Sequence, residues 1–372
     1  MKNWTLLFFR ISILFLALLV IPSGCKEDEP DTAQFPGLTT NTVLDISSTS
    51  ASGGGEVTND GGAPITARGL VWSTAGNPTL AINEGLTSDG DGVGQFTSSL
   101  TDLLPYTKYF VRAYATNSTG TSYGNQVEFE TLPEGAYSTV TDIDGNTYWT
   151  TAIGELEWMA QNLRTTRYSD GTPIASGLSE EEWETTTEGA YIDPYADSAV
   201  MKYIEPALEV DIYGFLYNAY AVRSTLNKPC PEGWYVPSEE DWGNMELGLK
   251  ILYNVDDNEL ARVIKSCRQV NSPLGGGCNT IYHPRWDDHP SVYGTNEAFF
   301  LALPAGQIKP YMQYVGHGES AWWWLAPEDP NNTSSFNPRR NIIYDRNDVF
   351  GYESTNNHAF SIRCCRPLVK DK

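Results

Sequence analysis

The chain has 372 residues, 47 of them acidic and 24 basic, so its formal net charge is -23, which argues against a phosphate-binding surface and against nucleic acid as a partner. Charged residues reach only 19% while aromatics reach 12%, and 33 Gly with 22 Pro punctuate the chain, a balance that disfavours disorder and coiled coil and suits short strands joined by turns. Its length allows two or three domains, each with a core of its own.

Residues 1–24 begin with Lys2 and Arg10, run apolar from Ile11 to Ile21 except at Ser12, and end in Ser23 and Gly24 before Cys25. The pattern predicts a signal peptide rather than a membrane span, which would take roughly 20 apolar residues. Ile21-Pro22-Ser23-Gly24-Cys25 resembles a bacterial lipobox, with Pro22 where that motif usually has Leu, and Cys25-Lys26-Glu27-Asp28-Glu29 resembles the surface-export signal of Bacteroidota-type lipoproteins. The resemblance implies a lipid on Cys25 and anchorage in the outer membrane, facing the extracellular side. An ordinary secreted protein with a chance cysteine is the plainer alternative. In so acidic a chain the anchor would rest on acyl burial, about 0.8 kcal/mol per CH2, with more than one acyl chain needed. Residues 25–38, rich in acidic side chains and holding Pro30 and Pro36, are expected to form a solvated tether. Within it, Asp31-Thr32-Ala33 resembles a short O-glycosylation sequon of the same bacteria.

Over residues 39–133, apolar and polar positions alternate between Gly, Asn and Asp clusters: Val43 and Ile46, Ile65 to Trp72, Tyr106 to Ala115, and Gln126 to Phe129. Period-two patterning at this spacing predicts a small antiparallel sandwich. Leu103-Leu104-Pro105-Tyr106-Thr107-Lys108-Tyr109, leading into a strand and an Asn117 to Gly120 turn, resembles the fibronectin type III pattern. That resemblance gives Tyr109 the tyrosine-corner role, with its ring in the core and its hydroxyl bonded to nearby backbone. Modules of this kind usually serve as spacers.

Composition shifts after Leu132-Pro133-Glu134-Gly135, and most tryptophans lie beyond it. Ser238, with acidic residues after it and Asp241 three positions on, predicts a helix start, with Trp242, Met245, Leu249 and Leu252 on one face. Asp142-Ile143-Asp144-Gly145-Asn146-Thr147-Tyr148, Trp158-Met159-Ala160-Gln161-Asn162-Leu163, Tyr213-Gly214-Phe215-Leu216-Tyr217-Asn218, Cys230-Pro231-Glu232-Gly233-Trp234, Leu303-Pro304-Ala305-Gly306, Trp322-Trp323-Trp324 and Phe360-Ser361-Ile362-Arg363-Cys364 follow in order. Together they resemble the Fibrobacter succinogenes major paralogous domain family. The resemblance implies an α+β, C-type lectin-like domain over residues 134–372, on exported and often surface-attached bacterial proteins, with the run from Asp256 to His289 as an elaborated loop. The expected fold class is therefore mainly β with some α: a fibronectin type III-like β-sandwich followed by this domain.

With Cys25 lipidated, five cysteines remain, so at least one thiol is free or intermolecular. On a final strand Phe360, Ile362 and Cys364 share one face and Ser361, Arg363 and Cys365 the other, which points Cys364 inward. The expected pairs are Cys230 with Cys364, closing most of the domain as lectin-like folds do, and Cys267 with Cys278, clipping the elaborated loop. Cys365 is left over. A catalytic thiol at Cys365 beside His358 lacks a third orienting group.

No cofactor or metal is expected. His283, Asp287, Asp288 and His289 share one loop, yet their spacing matches no zinc pattern and a solvated loop is the simpler reading. Glu328-Asp329-Pro330-Asn331-Asn332 with Arg346-Asn347-Asp348 loosely resembles the calcium and sugar ligands of lectin domains. Turns rich in Asn and Asp, with Asn347-Asp348 at a hairpin tip, compete with that reading. Asp142 to Asn146 lacks the twelfth-position Glu of an EF-hand. Trp322, Trp323 and Trp324 offer glycan contacts through their flat faces, against burial between layers. The function expected is a noncatalytic surface lipoprotein whose head binds a glycan, matrix or partner protein. The alternatives are an assembly component of a surface complex, or an enzyme on a lectin-like fold.

Overall fold

The computed structural model describes residues 33–194, 213–223, 228–329 and 334–369; the signal peptide, Cys25 and residues 25–32 of the expected tether lie outside them. The first region is built from β1 (Gly37–Thr40), β2 (Ala51–Asn59), β3 (Ala67–Ser73), β4 (Gly85–Leu86), β5 (Gly94–Leu100), β6 (Lys108–Thr116), β7 (Thr121–Tyr123) and β8 (Val127–Glu130). One sheet has the order β1-β2-β5, and the other β4-β3-β6-β7 with β8 also on β6. Inward positions of both sheets, among them Val57, Leu70, Phe96, Leu100, Val111 and Ala113, form one core. Tyr109 is buried, and its hydroxyl accepts a 3.0 Å hydrogen bond from the Leu104 N–H, as the tyrosine-corner role requires. The Asn117 and Gly120 backbones bond each other across the expected turn.

Several features depart from expectation: Val43 and Ile46 lie outside the strands, and β5 falls where the pattern assigns none. The tether was expected to run to Leu38, but β1 starts at Gly37, and Gln34 is already held by the Gly61 carbonyl and the Asn117 side chain. The pattern also assigns no strand to Ala51–Asn59, because three consecutive glycines read as a turn. Here they let the sheets approach: a Cβ on Gly53 would lie 2.8 Å from Leu70 Cδ1, and one on Gly55 2.7 Å from Ala113 Cβ.

The second region contains β9 (Ser138–Thr141), β10 (Thr147–Ile153), β11 (Leu156–Met159), α1 (Glu180–Thr185), β12 (Tyr191–Ile192), β13 (Leu216–Asn218), α2 (Ala219–Arg223), α3 (Glu239–Tyr253) and α4 (Leu260–Ile264). It continues through β14 (Ala305–Lys309), β15 (Gln313–His317), β16 (Ser320–Trp324), β17 (Phe336–Ile343), β18 (Phe350–Thr355), β19 (Ala359–Phe360) and β20 (Cys365–Pro367). One sheet runs β20-β11-β10-β9 and the other β12-β13-β19-β14-β16-β17-β18, with β15 on β14. The expected single final strand is two short ones, β19 and β20, in different sheets. The expected capping box forms at Ser238 and Asp241. Trp242, Met245 and Leu249 are buried, but Leu252 is 60% exposed: the helical stripe drifts, and Tyr253 turns inward instead, donating to the Glu297 carbonyl. A second capping box, Ser179 with Glu182, starts α1 and buries Trp183.

Sheet residues feed two large cores, beside a smaller cluster around Trp183, Tyr213, Leu303 and Ile308. Trp158, Trp242, Phe300, Trp323 and Cys365 belong to one, and Tyr148, Met159, Trp234, Trp324, Phe360 and Cys364 to the other. Between them sits a buried polar hub. Asn162 Oδ1 accepts from Trp323 Nε1 and Arg363 Nε, both at 3.0 Å, while Asn162 Nδ2 donates to the Tyr213 carbonyl and Ser361 Oγ. Arg363, 1% exposed, also donates to the Phe300 and Leu301 carbonyls, with its guanidinium 4.1 Å from the Phe300 ring centre. Phe299 and Leu301 hold positive φ on either side of Phe300, aiming those carbonyls at the cation.

Candidate functional site

Cys230 bonds Cys364 and Cys267 bonds Cys278, the pairing expected. Cys365 is free, but it is buried in the core of Trp158 and Trp242 rather than on an open face, beside Tyr235 and Asp241, and burial pushes its thiol far above the usual range. His358 is occupied by Thr355 Oγ1 at 2.8 Å.

The three tryptophans correct the glycan-contact expectation. Trp323 and Trp324 are each 0% exposed, because successive strand positions point into the two opposite cores. Trp322 is half-buried, stacked on Phe360 at 5.4 Å and covered by the Arg339 guanidinium at 4.3 Å, so its ring surface is already taken.

The metal readings sort in the same way. Asp142 is the centre of a turn, its carboxylate accepting from the Asp144 and Asn146 N–H groups and the Tyr148 hydroxyl. His283 is half-buried rather than in a solvated loop: it stacks on His317 at 4.0 Å and meets the Tyr213 hydroxyl at 3.0 Å. Burial, then Arg285, pulls His283 down to about 4; burial, then His283 and Arg285, pulls His317 to about 3. Asp287 pairs with Arg285, and His289 Nδ1 accepts backbone N–H groups. Of the calcium candidates, 330–333 lie outside the described residues, and Asp348 is engaged by Arg346. Among the described residues no group of three or more His, Cys, Asp or Glu is placed to hold a metal ion.

What β16, β17 and β18 do build is a two-sided sheet with unlike faces. The register aligns Trp324 with Arg339 and Arg339 with Tyr352, and Trp322 with Asn341 and Asn341 with Phe350. The alternate positions face α3: Arg340 forms a double hydrogen bond to Glu239 at 2.7 and 2.9 Å and approaches Glu246 at 3.8 Å. On the opposite side Tyr352 is 60% exposed, its ring nearly parallel to Phe350. Arg339 lies over Trp322 and, at 5.1 Å, over Tyr352. Its Nε donates to Ser354 Oγ at 3.0 Å and its Nη1 to Asn341 Oδ1, and burial pulls it down to about 10, so it stays charged at neutral pH. None of Arg339, Asn341, Tyr352 or Ser354 stands out in the sequence. The available signal was the alternation on both sides of the Asn347-Asp348 tip, which does cap the β17–β18 hairpin.

Elsewhere, a cleft of about 840 Å³ opens where the two regions meet, lined by Asp45, Ile46, Glu130, Leu132 and Tyr137 among others. Its charged lining residues are Asp45 and Glu130.

Fold and face together define a two-module chain: a β-sandwich carrying a disulfide-closed head with an open aromatic sheet face. Residues 151–366 match the Fibrobacter succinogenes major domain, and the chain belongs to that family. No curated protein matches the chain. Similar solved structures include the sensor domain of the anti-sigma factor RsgI4 of Pseudobacteroides cellulosolvens, at 20% identity over 26% of this chain and 95% of that one, with a TM-score of 0.21. A fibronectin type III domain from human KIAA0970 protein is 17% identical over 26% and 74% of the two chains, with a TM-score of 0.20. The FN1-FN3 domains of chicken CNTN1 are 17% identical over 27% and 32%, with a TM-score of 0.21.

Proposed function

We propose that the chain is a noncatalytic lipoprotein of the outer cell surface, held by a lipid on Cys25, in which the sandwich is a spacer and the head binds glycan through the open face of β17 and β18. The observation that carries this reading is the exposed Tyr352 ring beside Phe350, with Arg339 fixed next to it by Asn341 and Ser354. A flat apolar ring surface with a pre-oriented donor at its edge suits a pyranose, whose axial C–H face packs on aromatics while its hydroxyls bond the rim. The test is the full chain on a broad glycan array, alongside Tyr352→Ala. Saturable binding lost in that variant supports the reading, and silence from folded protein overturns it. Anchorage is checked separately: Cys25→Ser is expected to move the protein from the membrane fraction to the soluble one.

A second reading rests on α3, whose outer side exposes Leu247, Ile251 and Leu252. A contiguous apolar stripe of that kind suits contact with another protein, as in an assembly component of a surface complex.

A further inference from the structure

We propose that the ligand of this face is an acidic glycan, a polymer of pyranose rings bearing carboxylate or sulfate, and that Arg339 selects the charge; the proposal rests on the reading of the face given above. Arg339 and Arg340 are sequence neighbours with opposite surroundings. Arg340, on the α3 side, is saturated by Glu239 and Glu246. Elsewhere in the head Arg262, Arg285, Arg346 and Arg366 also have carboxylate partners. Arg339 has none among the described residues. Its partners, Ser354 Oγ and Asn341 Oδ1, are neutral, and its Nη2 has no hydrogen-bond partner among the described residues.

In a chain with nearly twice as many acidic as basic residues, this guanidinium stands at an exposed ring edge with no carboxylate beside it among the described residues. The general field of the molecule repels polyanions, and that field is screened beyond a Debye length of about 8 Å at physiological salt, so recognition has to occur at contact. Arginine held in a plane by two neutral acceptors offers a preset donor to a carboxylate or sulfate, and a ring on Tyr352 would bring such a group alongside. One alternation along β17, about 6.5–7 Å by strand geometry, lies Asn337. Its Oδ1 accepts from Arg223 Nε at 3.1 Å, and Arg223 donates also to the Phe336 carbonyl, again with no carboxylate among the described residues. Arg223 in turn lies over Tyr220 at 5.8 Å. Two guanidiniums with neutral partners, each beside a tyrosine, match a repeating anionic chain better than a single charge.

The test is calorimetric titration of the full chain with polygalacturonate, heparin and an uncharged β-glucan, in low and physiological salt. Expected is binding to at least one acidic polymer and not to the glucan, weakened by salt, about ten-fold or more weaker in Arg339→Gln, and only partly restored in Arg339→Lys, which keeps charge but not the planar fork. Unchanged melting of these variants shows that the fold is intact. Binding of acidic polymer unaffected by Arg339→Gln, or equal binding of the glucan, overturns the proposal. Glucan binding lost in Tyr352→Ala but kept in Arg339→Gln would leave the face standing and remove only the charge selection; absence of any glycan binding overturns both.

Discussion

The sandwich and the head solve the same problem, burying a sheet face, with different interiors. In the sandwich one apolar core is closed by alternation, two close-packed glycines and a few buried hydroxyls, among them that of Tyr109. The head has cores on both sides of its sheets; between them it buries Arg363 and the amide of Asn162, and one core holds the Cys230–Cys364 bridge. An apolar core depends on many interchangeable contacts, whereas a buried polar hub depends on a few that must all be satisfied.

The sharpest way to break the contrast is Arg363→Ala, which leaves the Phe300 and Leu301 carbonyls without their donor and Asn162 Oδ1 with Trp323 Nε1 alone, in a dry interior. The expected loss is about 3–5 kcal/mol confined to the head. Calorimetry should show its transition collapse while that of the sandwich stays in place; a joint shift would mean that the two regions unfold as one. Removing the long bridge by Cys230→Ser with Cys364→Ser is expected to cost about 2–4 kcal/mol, again in the head alone. Tyr109→Phe, which removes only the corner hydroxyl, should lower the sandwich transition by about 1 kcal/mol and leave the head unmoved.

Acid offers a subtler separation. His283 and His317 are held neutral in the fold, whereas the unfolded chain protonates them below about pH 6.5, so the unfolded state gains protons and stability falls as pH drops from about 6.5 toward about 4. All four histidines lie in the head. Its thermal midpoint should therefore decline through that window while the sandwich midpoint does not follow through histidine, and His283→Gln should flatten the slope. At the small end, Leu252→Ser on the exposed side of α3 should change stability by under about 0.5 kcal/mol.

The same contrast governed what could be read from residues alone. Alternation located β3, β6 and β8 and the Tyr109 corner, while β1, β4, β5 and β7 went unassigned, and β2 escaped because its glycines are explained only by Leu70 and Ala113 in the facing sheet, distant in sequence. In the head, the cap at Ser238 was legible because it is a local signal, and the equivalent at Ser179 was equally local and passed over. Leu252 misled because three apolar positions set a stripe whose drift depends on what it packs against. Asn162, Trp323, Ser361 and Arg363 lie up to 201 positions apart, and nothing local marks them as one network. The proposed binding face was hidden for a related reason: the triple tryptophan drew the eye to side chains that serve the cores, while the open ring belongs to Tyr352, across two strand pairings.

The bridge between Cys230 and Cys364 also sets how the head would bear a pull. Trp322, Arg339 and Tyr352 all lie within the 134-residue loop it closes. Without it, tension between a membrane anchor and a ligand on Arg339 would run through more than a hundred residues after Cys230, a path of roughly 380 Å when extended. With it, the load crosses to Cys364 and reaches Arg339 through about 25 residues, roughly 90 Å at most. In the proposed anchored role the bridge would thus act as a short leash that caps how far the face could be drawn out under load.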